Sequence, residues 1–364
     1  MRWAKTKRAV TDDPSTHASA PTFAPVERFI REVIPTVPGG RHMSTDSRGH
    51  VTLIRQAAAD RGLTTTMIGK TTYFYDGRLA VGGMAGWVPT LVGREAFVAV
   101  KFKDITKQMF EASDVPTPVG IALDHDQLDE ALDYVRAADR PLVLKPTAGG
   151  GGAGITCGIT SEVELRAAWD AAAQAMKTKQ RFVLEEQREG VDVRVYVVGR
   201  RVAAAATRVN CHVVGDGRRS ITELIDEKLQ WRARHVTLAK HELAVDDKLV
   251  ARGGRTVQDV PVADEIVVLN SLANVHAGGE CVDVTDILHP DLRELAIEAT
   301  RAIPGLGVAG VDLLTPDIRS ADGAVVLEAN VGANIRIHNC PTYGRPRNVA
   351  GAIIDEMIAT ARRP

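Results

Sequence analysis

A run of glycines, GGGGAG (149–154), stands between two strand-like runs, LVLKP ahead of it and ITCGIT behind it. Glycine reaches positive φ and carries no Cβ, so such a run is no helix interior, and its backbone N–H groups can approach a bound anion closely. The run formally matches GxGxxG, but in a dinucleotide-binding turn the third glycine opens a helix whose N-terminus holds the pyrophosphate. Here β-branched residues follow instead, and the chain has no GxxxxGK[ST] loop. What remains is a glycine flap between two antiparallel strands, with Gly150, Gly151 and Gly152 facing phosphate oxygens.

The residues around the flap carry charge of the matching kind. Lys145 sits among apolar neighbours in LVLKP, where an ammonium needs an anionic partner, and it is the first candidate for phosphate binding. Lys103, ahead of the helix-like DITKQMFEA, is a second phosphate candidate or a plain surface lysine. FVLEE ends in Glu185 and Glu186, and Asp192 follows a glycine turn. These carboxylates could accept hydrogen bonds from an adenine amino group and from ribose hydroxyls, or they could be a charged loop entry.

Toward the C-terminus, GVDLL places Asp312 inside an apolar run, and VVLEAN places Glu328 and Asn330 at i and i+2. Strand alternation puts the latter two on one face. Two neighbouring buried carboxylates cost several kcal/mol unless a cation or proton compensates. An oxygen-only set of this kind suits Mg²⁺, which takes one or two carboxylates plus substrate phosphates. A glycosidase-like acid/base pair is the rival, and it leaves the flap, Lys145 and Asn330 without a role. Arg336 follows and could steady a phosphoryl group or serve as a surface ion-pair partner. In RIHNCP, alternation would put His338 and Cys340 on one side, as a thiol nucleophile pair would require.

Composition removes other classes. The 364 residues are 45% hydrophobic and 25% charged, ordinary for globular cores, and Lys+Arg 45 against Asp+Glu 46 gives no bulk attraction to nucleic acid or membrane surfaces. The cysteines Cys157, Cys211, Cys281 and Cys340 form no ligand cluster and read as reduced thiols of a cytoplasmic protein. No apolar run approaches the roughly 20 residues that span a bilayer, and none follows the basic N-terminus as a secretion leader would.

Periodicity predicts a flexible tail over 1–22 and an α/β lobe over 23–100, with a helix at 51–61 and strands at 64–68 and 71–75. Helices are expected at 104–112, 127–138, 162–177, 221–229, 292–302 and 348–361. DVRVYVVGRRVAAAATRV reads as a hairpin turning at Gly199, and a polar, irregular stretch runs to about Val260.

Taken in order, KDITKQMFEASDVPTP, LVLKPTAGGGGAGIT, FVLEEQREGVDVRVYVVG, TRVNCHVVGDGRRSITELI, GGECVDVTDILHP, GVAGVDLLTPDI, LEANVGANIRIH and YGRPRNVAGAIID resemble the ATP-grasp superfamily. The likeness is to the ATP-grasp module of cyanophycin synthetases and, further off, to the glutathione-synthesising module of bifunctional enzymes. The resemblance implies an α/β (α+β) ATP-grasp fold over 101–364, with a small lobe at 115–187 and a large lobe at 188–364. It implies a carboxylate-amine ligase using ATP and two Mg²⁺ ions, which Mn²⁺ can replace. By position, Lys103 and Lys145 match phosphate lysines, Glu185 and Asp192 the adenine and ribose contacts, Asp312, Glu328 and Asn330 the metal ligands, and Arg336 an arginine near the acyl-phosphate. Arg208, His212 and Arg218 fall near the acceptor cleft, although Arg218 with Arg219 also reads as a solvated basic turn. Phe102, NVHAGG, and Ala333 with Asn334 depart from the pattern. Small amino acids or short peptides are the expected substrates of a homo-oligomer, a dimer, with no nucleic-acid or membrane partner. A ligase for peptide or carrier-protein side chains and a non-ligating nucleotide-binding regulator are the alternatives.

Overall fold

The computed structural model describes residues 23–149, 153–175, 181–251, 254–271, 273, 275 and 278–362. The expected tail and the flap positions Gly150, Gly151 and Gly152 lie outside the described residues.

The first lobe holds α1 (Ala24–Arg28), α2 (His50–Ala59) and a sheet of β1 (Thr64–Ile68), β2 (Thr71–Asp76), β3 (Leu79–Ala85) and β4 (Val88–Pro89), paired antiparallel in that order. Leu53, Ile54, Ala57 and Ala58 recur at helical spacing, so α2 presents one apolar stripe, and all four are buried. They meet Phe74, Val81 and Met84 of the sheet and Ile353, Ile354 and Met357 of the C-terminal helix. The end of the chain therefore completes the core of its beginning.

After α3 (Arg94–Ala99) and α4 (Lys103–Ala112) comes a second antiparallel sheet, of β5 (Gly120–Leu123), β6 (Leu142–Pro146), β7 (Thr156–Ile159) and β8 (Phe182–Glu186), ordered β5-β8-β6-β7. The helices α5 (Leu128–Ala137) and α6 (Glu162–Ala175) pack on the face that carries Phe182 and Leu184. Trp169 of α6 meets the Phe182 ring at 4.3 Å between centroids.

The third sheet is the largest. β9 (Val191–Val198) and β10 (Arg201–Val209) form the expected hairpin, with Gly199 at φ 61° in its turn. β11 (His212–Val214), α7 (Ile221–Arg232), α8 (Asp247–Val250) and β12 (Ile266–Val268) follow, β11 pairing with β12. α7 begins at a capping box, in which Ser220 and Glu223 each satisfy the other's backbone N–H. Then come β13 (Glu280–Asp283), α9 (Pro290–Arg301), β14 (Val308–Thr315), β15 (Val325–Asn330), α10 (Arg336–Asn339) and α11 (Val349–Ala361). The sheet order is β13-β10-β9-β14-β15, antiparallel throughout.

Alternation divides β9 cleanly. Val193, Val195 and Val197 enter the core with Leu292, Ala296 and Ala299 of α9, while Tyr196 and Val198 join the core under α11. Asp192 and Arg194 continue that second face beyond the helix, where the sheet is uncovered and borders a cleft.

One local expectation is corrected. The segment carrying His338 and Cys340 is not extended: Arg336–Asn339 is a helical turn whose start is fixed by Arg336 N–H donating to Asn334 Oδ1 at 3.0 Å. A short Asx-type bond competes with extension there, so alternation does not govern which side each residue takes. The stretch after α7, expected to be irregular, contains the short helix α8.

Candidate active site

The uncovered end of the large sheet forms one wall of a cleft of about 1330 Å³. Its register sets the wall row by row. Arg208 on β10 faces Asp192 on β9, Arg194 on β9 faces Asp312 on β14, and Asp312 faces Glu328 on β15. Arg208 donates both guanidinium arms to Asp192, at 2.8 and 2.7 Å. Arg194 grips Asp312 in the same bidentate way, and Arg208 also reaches Asp312 Oδ2 at 3.2 Å. Asn330 Nδ2 donates to Glu328 Oε1 at 2.9 Å, and stands 3.5 Å from Asp312 Oδ2.

Two details of the backbone make this possible. Between Asp312 and Leu313 the β14–β15 register slips, so Leu313 pairs with Val326 and Leu327 is the extra residue. Without that bulge, Val326 and Glu328 would share a face; with it, Val326 is buried in the core and Glu328 turns to the cleft. Gly310 leaves the space that Arg194 fills. A Cβ there would stand 2.5 Å from the Ala333 Cβ and 2.8 Å from Arg194 Cδ.

The opposite side is built from α4 and the smaller sheet. Lys103 and Lys107, at i and i+4, share one face of α4 and point to different sheets. Lys103 Nζ lies 3.4 Å from Glu328 Oε2 and donates to Gly149 O, at the foot of the glycine run, at 3.1 Å. Lys107 Nζ donates to Pro118 O and lies 3.4 Å from Glu185 Oε2. Lys145 Nζ donates to Glu185 Oε1 at 2.6 Å. Glu185, expected at an adenine, thus has both oxygens turned to buried lysines, and it is the anionic partner that Lys145 required. Burial pushes the Lys107 ammonium down, and the Glu185 carboxylate opposes that shift.

Electrostatics along the wall follow the same pairing. Burial raises the Asp312 carboxyl, but Arg194 and Arg208 outweigh it and hold the group well below the usual carboxylate range. Asp192 goes the other way: burial lifts it against the pull of Arg208, and the Asp312 charge adds to the lift.

Lys103, Lys145, Asp192, Arg208, Asp312, Glu328 and Asn330 all line the one cleft. Several expected residues do not. Arg336 donates to Ser47 O at 3.4 Å and to Thr237 Oγ1 at 3.1 Å. His212 is buried with Nδ1 2.8 Å from Asn210 O, and burial lowers it to about 4, the Lys228 charge adding to the effect. Arg218 is exposed on a turn held by Asp216, and Glu186 lies beside Arg188 at 3.9 Å. Sequence reasoning missed Lys107, legible as the i+4 partner of Lys103, and Arg194, legible as the second polar residue of DVRVYV at strand spacing.

The donor set fits a magnesium ion. Asp312 and Glu328 stand opposite each other on adjacent strands with Asn330 beside them, and Arg194, Arg208 and Lys103 already pair with the two carboxylates; carboxylate and amide oxygens are the donor types that Mg²⁺ takes.

No family model matches the chain. A cyanophycin synthetase of Trichormus variabilis is 41% identical over 266 residues, which is 70% of this chain and 29% of that protein. The glutathione biosynthesis bifunctional protein of Mannheimia succiniciproducens is 28% identical over 274 residues, 70% of this chain and 35% of that protein. The solved bifunctional glutathione synthetase of Pasteurella multocida superposes with a TM-score of 0.62 at 22% identity, covering 85% of this chain and 44% of that one. The chain has the ATP-grasp fold. Its ATP-grasp fold is the pair of antiparallel sheets facing each other across the cleft, with α4 touching both. The chain spans about three-tenths of the length of the cyanophycin synthetases that it matches.

Proposed function

We propose that this chain is an ATP-dependent carboxylate-amine ligase, joining a small amino-acid or peptide carboxylate to an amine through an acyl-phosphate with release of ADP and phosphate. The observation that carries the reading is the convergence of Asp312, Glu328 and Asn330 with Lys103 and Lys145 on one cleft. Relatives named for cyanophycin and glutathione synthesis support it. A dipeptide or γ-glutamyl amide is the expected product. In this reading residues 23–100 form a first lobe, 115–187 and 188–364 the two gripping lobes, and the enzyme is a cytoplasmic dimer.

Asp312, Glu328 and Asn330 would hold Mg²⁺, two ions in this reading, and the metal supplies charge neutralisation at the β- and γ-phosphates. Lys145 and Lys103 meet the remaining phosphate charge, Lys145 with its position set by Glu185 and, behind it, Lys107. The substrate carboxylate oxygen bonds to the γ-phosphorus as the bond to ADP breaks. The amine then attacks the acyl carbon, phosphate leaves, and the amine loses a proton. Catalysis of this kind is mostly positioning and electrostatics, so fixed guanidiniums beside the metal ligands matter. Arg194 and Arg208 line the cleft and are better placed for that task than Arg336, which is tethered to Ser47 and Thr237.

An amino-acid panel screened for phosphate release, with mass detection of coupled product, tests the reading. ADP-forming condensation is expected, and Glu328→Ala should abolish it while circular dichroism stays unchanged. Turnover that persists in Glu328→Ala would remove the metal assignment.

A further inference from the structure

The first lobe sends one residue into the cleft that the ligase reading leaves unused. Ala85 pairs with Val88 across a two-residue turn, Gly86 and Trp87, at the tip of the β3–β4 hairpin. Gly86 has φ 62°, the positive value that glycine supplies at the first central position of such turns. Trp87 is therefore displayed at the tip, 48% exposed, and it lines the cleft beside Gly332, whose ideal Cβ would stand 3.8 Å from the Trp87 Cβ. Gly332 lies two residues after Asn330.

An exposed indole is seldom left unsupported, and this one has a backing. The His50 ring stacks on it at 5.1 Å between centroids and 4° between planes. His50 is itself buried at the start of α2, and Ile335 N–H donates to its Nδ1 at 3.5 Å. Burial holds the imidazole low, at about 4, so it is a neutral, flat support near pH 7. The His50 ring covers one face of the indole, while the residue as a whole stays 48% exposed and lines the cleft.

The surroundings select what could stack there. The lining shared with Trp87 includes the apolar Val100, Phe102, Val331 and Ala333, next in the chain to Lys101 and Asn334. A cationic side chain would want a carboxylate, yet those lining the described cleft are already paired: Asp104 with Arg181 at 2.9 Å, Asp192 with Arg208 at 2.7 Å, Asp312 with Arg194, and Glu328 with Lys103 at 3.4 Å. We infer that Trp87, backed by His50, is a stacking platform contributed by the first lobe, and that it selects a substrate carrying a flat, apolar side chain, an aromatic amino acid being the simplest case. This rests on the ligase reading for the word substrate, although binding itself can be measured without turnover.

The test is calorimetric titration of the full chain with phenylalanine, tyrosine, alanine, arginine and aspartate, run with and without Mg²⁺ and a non-hydrolysable ATP analogue. Phenylalanine and tyrosine should bind about tenfold tighter than the others, the scale of one aromatic contact added to apolar burial. Trp87→Ala should erase that preference and Trp87→Phe should keep it, with the affinity for the ATP analogue the same in all three proteins as evidence of intact folding. Equal affinity for phenylalanine and alanine, preference for arginine, no amino-acid binding at all, or a preference that survives Trp87→Ala would overturn the proposal. Failure of the wild-type chain to bind the ATP analogue would instead break the ligase reading, and the aromatic preference would still stand or fall by the titrations without nucleotide.

Discussion

The large C-terminal sheet and the small N-terminal sheet are both antiparallel, but they treat polar residues in opposite ways. On β9 and β14 nearly every position is buried, so Asp192, Arg194 and Asp312 stand inside otherwise apolar strands and each needs a specific partner. On β1 all five residues are exposed, and Thr64, Thr65 and Thr66 face water on an edge strand. A polar side chain is thus informative only where the strand around it is buried. The functional candidate of the N-terminal sheet, Trp87, is an exposed aromatic at a turn, a kind of residue that carries no such signal.

If the contrast is right, the heaviest loss should follow from Asp312→Ala. The buried Arg194 would lose its carboxylate and the half-buried Arg208 would keep only Asp192, and breaking a buried pair of this kind costs about 3–5 kcal/mol, which chemical denaturation would read. ADP formation should vanish with it. Glu328→Gln comes next and separates chemistry from stability: its side chain is 29% exposed, so the melting temperature should hold while kcat falls by about 10²–10³. Equal losses of stability in the two variants would blur the distinction drawn between them.

Gly310→Ala probes the space behind Arg194. Its new Cβ would press on Ala333 and Arg194, and overpacking of this sort costs about 1–3 kcal/mol. A wild-type denaturation midpoint in that variant would show that Arg194 is free to move.

Acid compares the first lobe with the two-stranded β11–β12 sheet that follows β10, because each holds a histidine kept neutral by burial. His50 and His212 are both lowered from 6.5 to about 4, burial being the main cause in each. Between those values the unfolded chain binds protons that the folded chain refuses, so the stability these groups contribute is present above about pH 6.5 and is lost as pH falls toward 4. Urea midpoints should be level from pH 8 to 7 and decline from about 6.5, above the range where ordinary carboxylates titrate. His50→Gln and His212→Gln should each remove part of that slope, one from the first lobe and one from the β11–β12 sheet; a slope unchanged in both would mean that other groups titrate. The smallest effect belongs to the exposed edge, where Thr66→Ala should stay within about 0.5 kcal/mol of wild type by the same denaturation assay.

Much of this arrangement can be read from the chain before any coordinates. The β9–β10 hairpin, the helices at the expected places and the shared face of Glu328 and Asn330 follow from period-2 and period-3.6 patterning, which acts over a few residues. Glu185 shows the limit. Its type and position suggested a nucleotide contact, whereas Lys145 and Lys107 hold its two oxygens, and Lys107 approaches from a helix 78 residues away in sequence. The helical turn at Arg336 departs from its extended-looking sequence for a nearer reason, a single Asn334 side-chain bond to the Arg336 N–H.

By itself, then, the order of residues determined which strands are buried, which of their positions are polar, and that a glycine run divides two of them, because hydrophobic burial and steric freedom are local properties of the chain. Tertiary structure alone decided that the bulge at Leu327 turns Glu328 to the cleft while Val326 stays in the core, that Lys103 and Lys107 reach different sheets, and that Trp87 meets His50 over the same cleft. Each of these depends on which distant surface a side chain meets, and that is settled only when separate elements compete to bury their faces together.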